Sequence, residues 1–219
     1  LSYSDFCKYI KDSPNVIVYK VIKIADITPV RAYLLLKDLY PDACLLESSE
    51  VQNHANNLSY LSFNTQCNFK SWDKVIHVTE YNPGSGDEKN YKYNTDPFSI
   101  LDKYYFKYKA VTTHRYNGFA GGMVGYIGYD AVRQIEDIAD THLNTDQTPD
   151  MFFRFYKNSI CFDKTKSQLI ISSVANNKAK YNLALELIDN IISLLLNPKN
   201  LNQAEFCTID YSSKDMSPK

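Results

Sequence analysis

The sequence predicts an α+β fold, in which helices pack on a mainly antiparallel β-sheet. Strand-like segments follow one another directly between residues 43 and 80, which favours antiparallel pairing of neighbours along the chain. Helical patterns are inserted among the strands without the strict alternation of a βαβ repeat. Residues 116–137 hold five of the seven glycines among strand-forming residues and then enter a short helical pattern. Because glycine weakens a strand, this clustering predicts a bulge or a close approach by another backbone or a ligand.

The first half of the chain predicts two helices and several short strands. Residues 3–11 fit a short helix, and the β-branched residues 16–24 predict a strand. Thr28 as N-cap and Pro29 at the first helical position begin a second helix, which ends near residue 40. Short strands are expected at 43–47, 59–63, 67–72 and 74–80, and a turn or exposed loop at 81–90. The apolar face of the second helix is expected to contain Val30, Tyr33, Leu34 and Leu36.

The second half predicts two longer helices around a β-hairpin. A helix is expected from Asp96 and Pro97 to about residue 108, with Phe98, Leu101, Tyr105 and Tyr108 at helical spacing. After the glycine-rich strand and a polar loop at 141–148, an aromatic strand at 151–162 is expected to pair with 168–174. The longest helix is expected at 179–196. Its inward residues are expected to be Leu183, Leu187, Ile191, Leu194 and Leu195.

Composition and charge exclude several classes of protein. The formal net charge is −1, which indicates no nucleic-acid partner. The longest apolar run, 191–196, is too short to span a bilayer, so no membrane association is expected. The five cysteines are scattered without Cys-x-x-Cys spacing, which is typical of reduced thiols in a cytoplasmic protein.

The motifs give little evidence for chemistry within this chain. The four histidines are far apart in sequence, so no metal-binding pair is predicted. The segment from Gly121 to Gly125 does not match G-x-G-x-x-G, and no G-K-[ST] follows, so a close-packed strand is a better interpretation than a nucleotide loop. Residues 84–86 fit a turn, not a nucleophile elbow. Asp130 and Arg133 are expected to pair on the short helix.

One short segment, from Leu45 to Ser48, favours a ligand site. An apolar strand that ends in Glu47 and Ser48 can present a carboxylate and a hydroxyl at the rim of a pocket. This pair suits an amino-acid ligand, because Glu47 can face an ammonium group and Ser48 can donate or accept a hydrogen bond. The alternative is that Ser48 caps the strand end and Glu47 is simply solvated.

Four ordered motifs resemble the N-terminal part of component I of anthranilate synthase. Thr28-Pro29-Val30 followed by Ala32-Tyr33-Leu34 matches T-P-V-x-A-Y-L, and residues 45–48 match L-L-E-S. The segment from Gly121 to Asp130, with Arg133 and Glu136, is close to G-G-x-V-G-Y-x-x-Y-D-x-x-R-x-x-E. Residues 149–151 match the P-D-hydrophobic motif before a long strand. Together the motifs cover residues 16–175, and their order makes the resemblance specific.

The resemblance implies an enzyme that converts chorismate to anthranilate with Mg²⁺ and ammonia, the ammonia coming from a glutamine amidotransferase subunit. It implies a domain over residues 1–198 and a linker over 199–219 toward a C-terminal catalytic domain outside this sequence. The tail Ser217-Pro218-Lys219 is typical of a helix start and favours such a continuation. The family's catalytic and metal-binding residues lie in its C-terminal region, so no residue here is expected to be catalytic. This chain alone is expected to be inactive and to bind no cofactor.

The resemblance also implies a regulatory site. In the family, tryptophan binds as a feedback effector at the L-L-E-S strand, which corresponds here to Glu47 and Ser48, with Pro29 as a pocket wall. The chain departs from the family's R-Y-S-F motif, in which a basic residue lies near the pocket. Ser59 stands in the place of that basic residue here, so tight inhibition by tryptophan is not implied. Two other interpretations remain open: component I of aminodeoxychorismate synthase, of the folate pathway, and a stand-alone ligand-binding module.

Overall fold

The computed structural model describes residues 1–23, 27–48, 58–82, 87–112, 119, 122–136, 138 and 148–197. The α-helices within these ranges are α1 Tyr3–Asp12, α2 Pro29–Leu36, α3 Pro97–Tyr108 and α4 Lys178–Leu196, and a 3₁₀ helix spans Tyr129–Gln134. The strands are β1 Val16–Lys23, β2 Cys44–Leu46, β3 Leu58–Trp72, β4 Val75–Tyr81, β5 Glu88–Asn94, β6 Gly122–Ile127, β7 Met151–Asp163 and β8 Gln168–Ala175.

The eight strands of the described ranges belong to one sheet, and every pair of strands in it is antiparallel. The main path through the sheet is β1-β8-β7-β3-β4-β5, while β2 pairs with β3 and β6 pairs with β7. Because the helices pack on an antiparallel sheet and form no regular βαβ repeat with its strands, the predicted α+β fold is confirmed.

The helix starts follow the local signals in the sequence. The Thr28 hydroxyl accepts a hydrogen bond from the Arg31 amide at 3.2 Å and so caps α2. The Asp96 carboxylate accepts bonds from the amides of Phe98 and Ser99 and caps α3 in the same way. Both helices then place proline in the first turn, where the missing N–H has no intrahelical partner to lose.

Two of the predicted strand boundaries are wrong. The segments expected at 59–63 and 67–72 are parts of one fifteen-residue strand, β3. The expected loop at 81–90 is also wrong at both ends, since Tyr81 closes β4 and β5 begins at Glu88. Every residue of β5 except Tyr93 is exposed, so this edge strand buries little apolar surface and its polar, charged sequence is a weak strand signal.

A β-bulge between Thr65 and Cys67 lets β3 serve two cores on opposite faces of the sheet. Before the bulge, Leu61 and Phe63 pack in a core covered by α1, α2 and α4. After it, Cys67 and Phe69 pack in a second core covered by α3 and the 3₁₀ helix. The extra residue reverses the facing of the side chains, so odd-numbered residues remain inward on both sides of the bulge.

Strand β7 runs without a bulge and contributes to both cores through alternating residues. Ile160 and Phe162 belong to the first core, and Phe153 and Phe155 belong to the second. Most of its thirteen residues are consequently buried, with faces that change along the strand. Strands β3 and β7, which pair along nearly their whole length, are the centre of the fold.

The helix faces were predicted only in part. In α2, Leu36 is buried as expected, but Val30 and Leu34 are exposed. In α3, Leu101 is buried as expected, and Tyr104 is buried instead of Tyr105. In α4, Ile191 and Leu195 are buried as expected, whereas Leu183 is exposed and Leu187 and Leu194 are half-buried. The face of α4 that packs on the sheet follows strict helical spacing and includes a small residue: Tyr181, Ala184, Ile188, Ile191 and Leu195.

Candidate functional site

The described part of the glycine-rich segment packs tightly against the centre of the sheet. Gly125 lies opposite Phe153 in the β6–β7 pairing. A Cβ atom at Gly125 would lie 1.9 Å from the Phe152 carbonyl oxygen, so only glycine fits here. The predicted close approach between backbones is thus confirmed at Gly125, while Gly118 and Gly121 lie outside the described residues. The predicted ion pair is also present, with Arg133 Nε 3.2 Å from Asp130 Oδ1.

Pro29 lines a pocket of about 290 Å³ between the start of α2 and the end of the β7–β8 hairpin. Pro29 is buried, and Ile27, Phe162 and Leu169 form the apolar part of the lining with it. The polar part of the lining is formed by Thr28, Asp163, Lys164, Ser167 and Gln168. This volume is close to the lower end, about 300 Å³, of the range typical of small-molecule sites.

Ser48 is linked to the lining of this pocket by strand β3. Its amide N–H donates a hydrogen bond to Ser59 Oγ at 3.3 Å. Ser59 is fully buried and is the register partner of Phe162, which lines the pocket. The chain at Ser48 is therefore separated from β7 by β3, a distance of about two strand spacings, or roughly 10 Å.

Glu47 follows the last paired residue of β2, Leu46, which lies opposite Tyr60. It is exposed, whereas Ser48 is half-buried. Neither residue is among the described residues that line the pocket. The structure thus brings Pro29 and Ser48 to the same end of the sheet, with Glu47 on its solvent side.

Among the described residues that line the pocket, Asp163 is the buried acidic group, and it is already well bonded. Its carboxylate accepts hydrogen bonds from the Lys166 amide at 3.0 Å and from Gln168 Nε2 at 3.3 Å. Lys166 Nζ lies 3.5 Å from the same carboxylate. Asp163 therefore shapes the hairpin turn and orients Gln168, instead of offering an uncompensated charge to a ligand.

Sequence reasoning missed the roles of Ser59, Phe162 and Lys164 at this end of the sheet. Ser59 was considered only as a missing basic residue, but its hydroxyl fixes the chain after β2. Phe162 and Lys164 belong to a hairpin that is more than one hundred residues away in sequence from Glu47 and Ser48. Only the strand register, which a single sequence does not reveal, brings these segments together.

The described residues hold no group of three His, Cys, Asp or Glu side chains that could bind a metal ion. His77, the one histidine within the described ranges, packs edge-on against Trp72. Cys7, Cys44, Cys67 and Cys161 are free thiols, and Cys207 lies outside the described residues. Burial raises the pKa of the Cys161 thiol to about 11, which keeps it protonated and unreactive at neutral pH.

Comparison with known proteins identifies relatives over most of the chain. Anthranilate synthase component 1 of Lactococcus lactis is 26% identical over 179 residues, which are 81% of this chain and 37% of that protein. The same enzyme component of Acinetobacter calcoaceticus is 30% identical over 188 residues, 80% of this chain and 35% of that protein. Aminodeoxychorismate synthase component 1 of Bacillus subtilis is 28% identical over 91 residues, 42% of this chain and 19% of that protein.

These relatives are components of two related enzymes, anthranilate synthase and aminodeoxychorismate synthase. The chain is a homologue of anthranilate synthase component I, which confirms the resemblance predicted from the four motifs. The chain spans only about two fifths or less of the length of the anthranilate synthase relatives that it matches. No protein-family model matches the chain.

A crystal structure of anthranilate synthase component I from Streptococcus pneumoniae aligns with 82% of this chain and 38% of that chain, at 20% identity and a TM-score of 0.48. The family assignment therefore depends on the sequence relatives. None of the helices in the described ranges is long and apolar enough to cross a bilayer.

Proposed function

We propose that this chain is the N-terminal regulatory and structural part of an anthranilate synthase component I, and that it carries part of a tryptophan feedback site. The observation that carries the proposal is the similarity to anthranilate synthase component 1 over about four fifths of the chain. The complete protein would convert chorismate to anthranilate in tryptophan biosynthesis, in the cytoplasm, with a glutamine amidotransferase subunit as its ammonia source.

The proposed tryptophan site consists of Pro29, Glu47 and Ser48. The lining of the pocket at Pro29 contains both apolar and polar residues, which suits an amino acid with a large apolar side chain. Glu47 would bind the ammonium group, and Ser48 would contribute its hydroxyl at the rim. Mg²⁺ is proposed as a cofactor of the complete enzyme, where residues of the family's C-terminal region would bind it.

An exposed apolar surface also supports a scaffolding role. Near the end of β6 and along the 3₁₀ helix, Ile127 is 55% exposed, Tyr129 is 93% exposed and Ile135 is 73% exposed. Apolar patches of this kind mark surfaces that contact another part of a protein or a partner. In the proposed complete enzyme, this surface would pack against the catalytic domain.

The proposal can be tested by measuring anthranilate fluorescence from chorismate with the complete protein, Mg²⁺ and ammonium ions. We expect turnover by the complete protein, inhibition by tryptophan, and no turnover by the 219-residue chain alone. Substituting Ser48→Phe should fill the proposed site and relieve the inhibition without removing activity. As a control, Ser99→Phe changes an exposed serine on α3 and should leave inhibition unchanged. Undiminished inhibition of the Ser48→Phe variant would remove Ser48 from the site.

Aminodeoxychorismate synthase component I is the alternative, and the Bacillus subtilis relative favours its consideration. The two enzymes differ in product, so analysis of the reaction mixture distinguishes them. Accumulation of aminodeoxychorismate without anthranilate would contradict the anthranilate synthase proposal and support the alternative. Absence of any chorismate-dependent product from the complete protein would favour a ligand-binding module.

A further inference from the structure

Another pocket, called here the Tyr40 pocket, lies at the opposite end of α2 from Pro29, where the chain leaves the helix and meets the bulge of β3. Its volume is about 200 Å³, and it shares no lining residue with the pocket at Pro29. Tyr40 and Tyr81 are its aromatic lining residues, and Asp42, Asn64 and Thr65 are its polar ones. No lysine or arginine is among the described residues that line it, so hydrogen-bond acceptors predominate.

The hydroxyl of Thr65 is a buried group without a partner at this pocket. Its oxygen is buried and makes no hydrogen bond to any described residue. Thr65 lies opposite Tyr156 in the sheet, immediately before the bulge. A buried hydroxyl without a partner lowers stability, and folding alone would favour valine, which has nearly the same shape. A ligand that donates a hydrogen bond at this position would offset that loss.

Asn64 provides a second acceptor whose position is fixed. Its backbone has a φ of 63°, in the left-handed region that asparagine adopts more readily than most residues. Its Nδ2 donates a hydrogen bond to Asn158 Oδ1 at 2.7 Å, which orients the side-chain amide. The remaining polar atom of that amide is its carbonyl oxygen, which accepts hydrogen bonds and does not donate them.

The electrostatic potential beside the Tyr40 pocket is negative. Asp42 Oδ1 lies 2.8 Å from Arg154 Nη2, and Glu88, opposite Tyr81 in the β4–β5 ladder, adds a second carboxylate. The pKa of the Tyr81 hydroxyl is raised, first by burial and next by the charges of Glu88 and Asp42. The opposing effects of a hydrogen bond from Asn68 and of the Arg154 charge are smaller. These charges together therefore favour a cation at this end of the sheet.

We propose that the Tyr40 pocket binds a small primary amine in its protonated form. The ammonium group donates hydrogen bonds to Asp42, Asn64 and Thr65. The rings of Tyr40 and Tyr81 contact the apolar part of the amine, and their faces attract its charge. The end of α2 strengthens this preference, because the C-terminus of a helix carries a partial negative charge from its aligned peptide dipoles.

The experiment compares benzylamine, which is protonated at neutral pH, with benzyl alcohol, which has the same ring but no charge. Binding of each compound to the 219-residue chain is followed by NMR titration. Benzylamine should bind about tenfold more tightly than benzyl alcohol, because a hydrogen bond between charged groups contributes strongly to affinity. Asp42→Asn removes the negative charge at nearly constant size. It should weaken benzylamine binding by about tenfold and leave benzyl alcohol binding unchanged.

Thr65→Val should have opposite effects on stability and on binding. Removal of the unpartnered hydroxyl should raise the urea midpoint of unfolding by about 0.3 M and weaken benzylamine binding by about fivefold. Thr79→Val is the matched control, because Thr79 is half-buried on the neighbouring strand β4 and its hydroxyl donates a hydrogen bond to Asn90 Oδ1 at 2.8 Å. The control should lower the urea midpoint and leave benzylamine binding within about twofold of the unsubstituted chain.

The inference is overturned if benzylamine does not bind, or if it binds no more tightly than benzyl alcohol. It is also overturned if Asp42→Asn and Thr65→Val both bind benzylamine as tightly as the unsubstituted chain. Ser48→Phe changes the proposed tryptophan site and should leave benzylamine binding unchanged. Loss of benzylamine binding in Ser48→Phe, with retention in Asp42→Asn, would place the amine at the Pro29 pocket and reject the Tyr40 pocket. Because the two pockets share no lining residue, failure of the tryptophan proposal leaves this inference standing.

Discussion

Substitution of Gly125 by alanine is the sharpest test of the fold. Gly125 pairs with Phe153 at the centre of the β6–β7 ladder, which joins six residue pairs. An added Cβ would lie 1.9 Å from the Phe152 carbonyl oxygen and 2.7 Å from the Phe153 Cα. Both neighbours are backbone atoms, so no side-chain rotation can relieve the overlap.

The size of the destabilisation follows from the distance that strand β6 must move. An ordinary contact begins near 3.4 Å, so β6 must shift by about 1.5 Å relative to β7. A shift of that size lengthens the adjacent ladder hydrogen bonds beyond their useful range. Loss of two or three such bonds, at about 1 kcal/mol each, together with overpacking predicts destabilisation of about 3–5 kcal/mol.

Urea unfolding of the 219-residue chain, followed by circular dichroism, measures this effect. With a slope of about 3 kcal/mol per molar urea, the midpoint of Gly125→Ala should fall by roughly 1–1.7 M. Gly128→Ala is the matched control, since its Cβ would lie 3.1 Å from the Asp150 carbonyl oxygen and needs only a small adjustment. We expect the control to cost about 1 kcal/mol. Equal midpoints for the two variants would refute the placement of β6 against β7.

Two further predictions concern buried polar groups. Burial raises the pKa of the Cys67 thiol from 9.0 to about 12, so above pH 9 the unfolded chain loses this proton while the folded chain retains it. The free energy of unfolding should therefore fall with rising pH, and Cys67 should account for about 1 kcal/mol of that fall between pH 9 and pH 10. The urea midpoint of Cys67→Ala should decline less steeply with pH than that of the unsubstituted chain. Identical slopes of urea midpoint against pH would exclude this contribution. Tyr156→Phe should cost about 1–2 kcal/mol in the same assay, because the buried Tyr156 hydroxyl donates a 2.8 Å hydrogen bond to the Asp42 carbonyl. If Tyr156→Phe is as stable as the unsubstituted chain, the hydrogen bond from Tyr156 to Asp42 is contradicted.

Features with a local cause could be predicted from the sequence. The start of α2 depends on Thr28 and Pro29, and that of α3 on Asp96 and Pro97, so a capping residue followed by proline identified both. The glycine cluster also predicted a close backbone approach, because few other causes explain glycine within a strand-forming segment. Pro29 and Ser48 were assigned to one site through the family motifs, and that site remains a proposal.

Features that depend on tertiary packing could not be predicted in the same way. The apolar residues of α4 allow more than one face, and selection of the largest ones favoured Leu183 over the smaller Ala184, which packs on the sheet. The bulge after Thr65 leaves the alternation of β3 uninterrupted, so no sequence pattern indicates that the strand changes cores. Lys164 reaches the candidate site only because the β7–β8 hairpin ends beside α2.

The passage of β3 from one core to the other has a consequence for cooperativity. Removal of β3 from the layer under α1, α2 and α4 also withdraws the strand that supports α3. Strand β7 imposes the same condition from its own side, since its residues are shared between the two layers. Partial melting of one half thus exposes apolar surface in the other, and both halves are expected to unfold in a single transition as one thermodynamic unit.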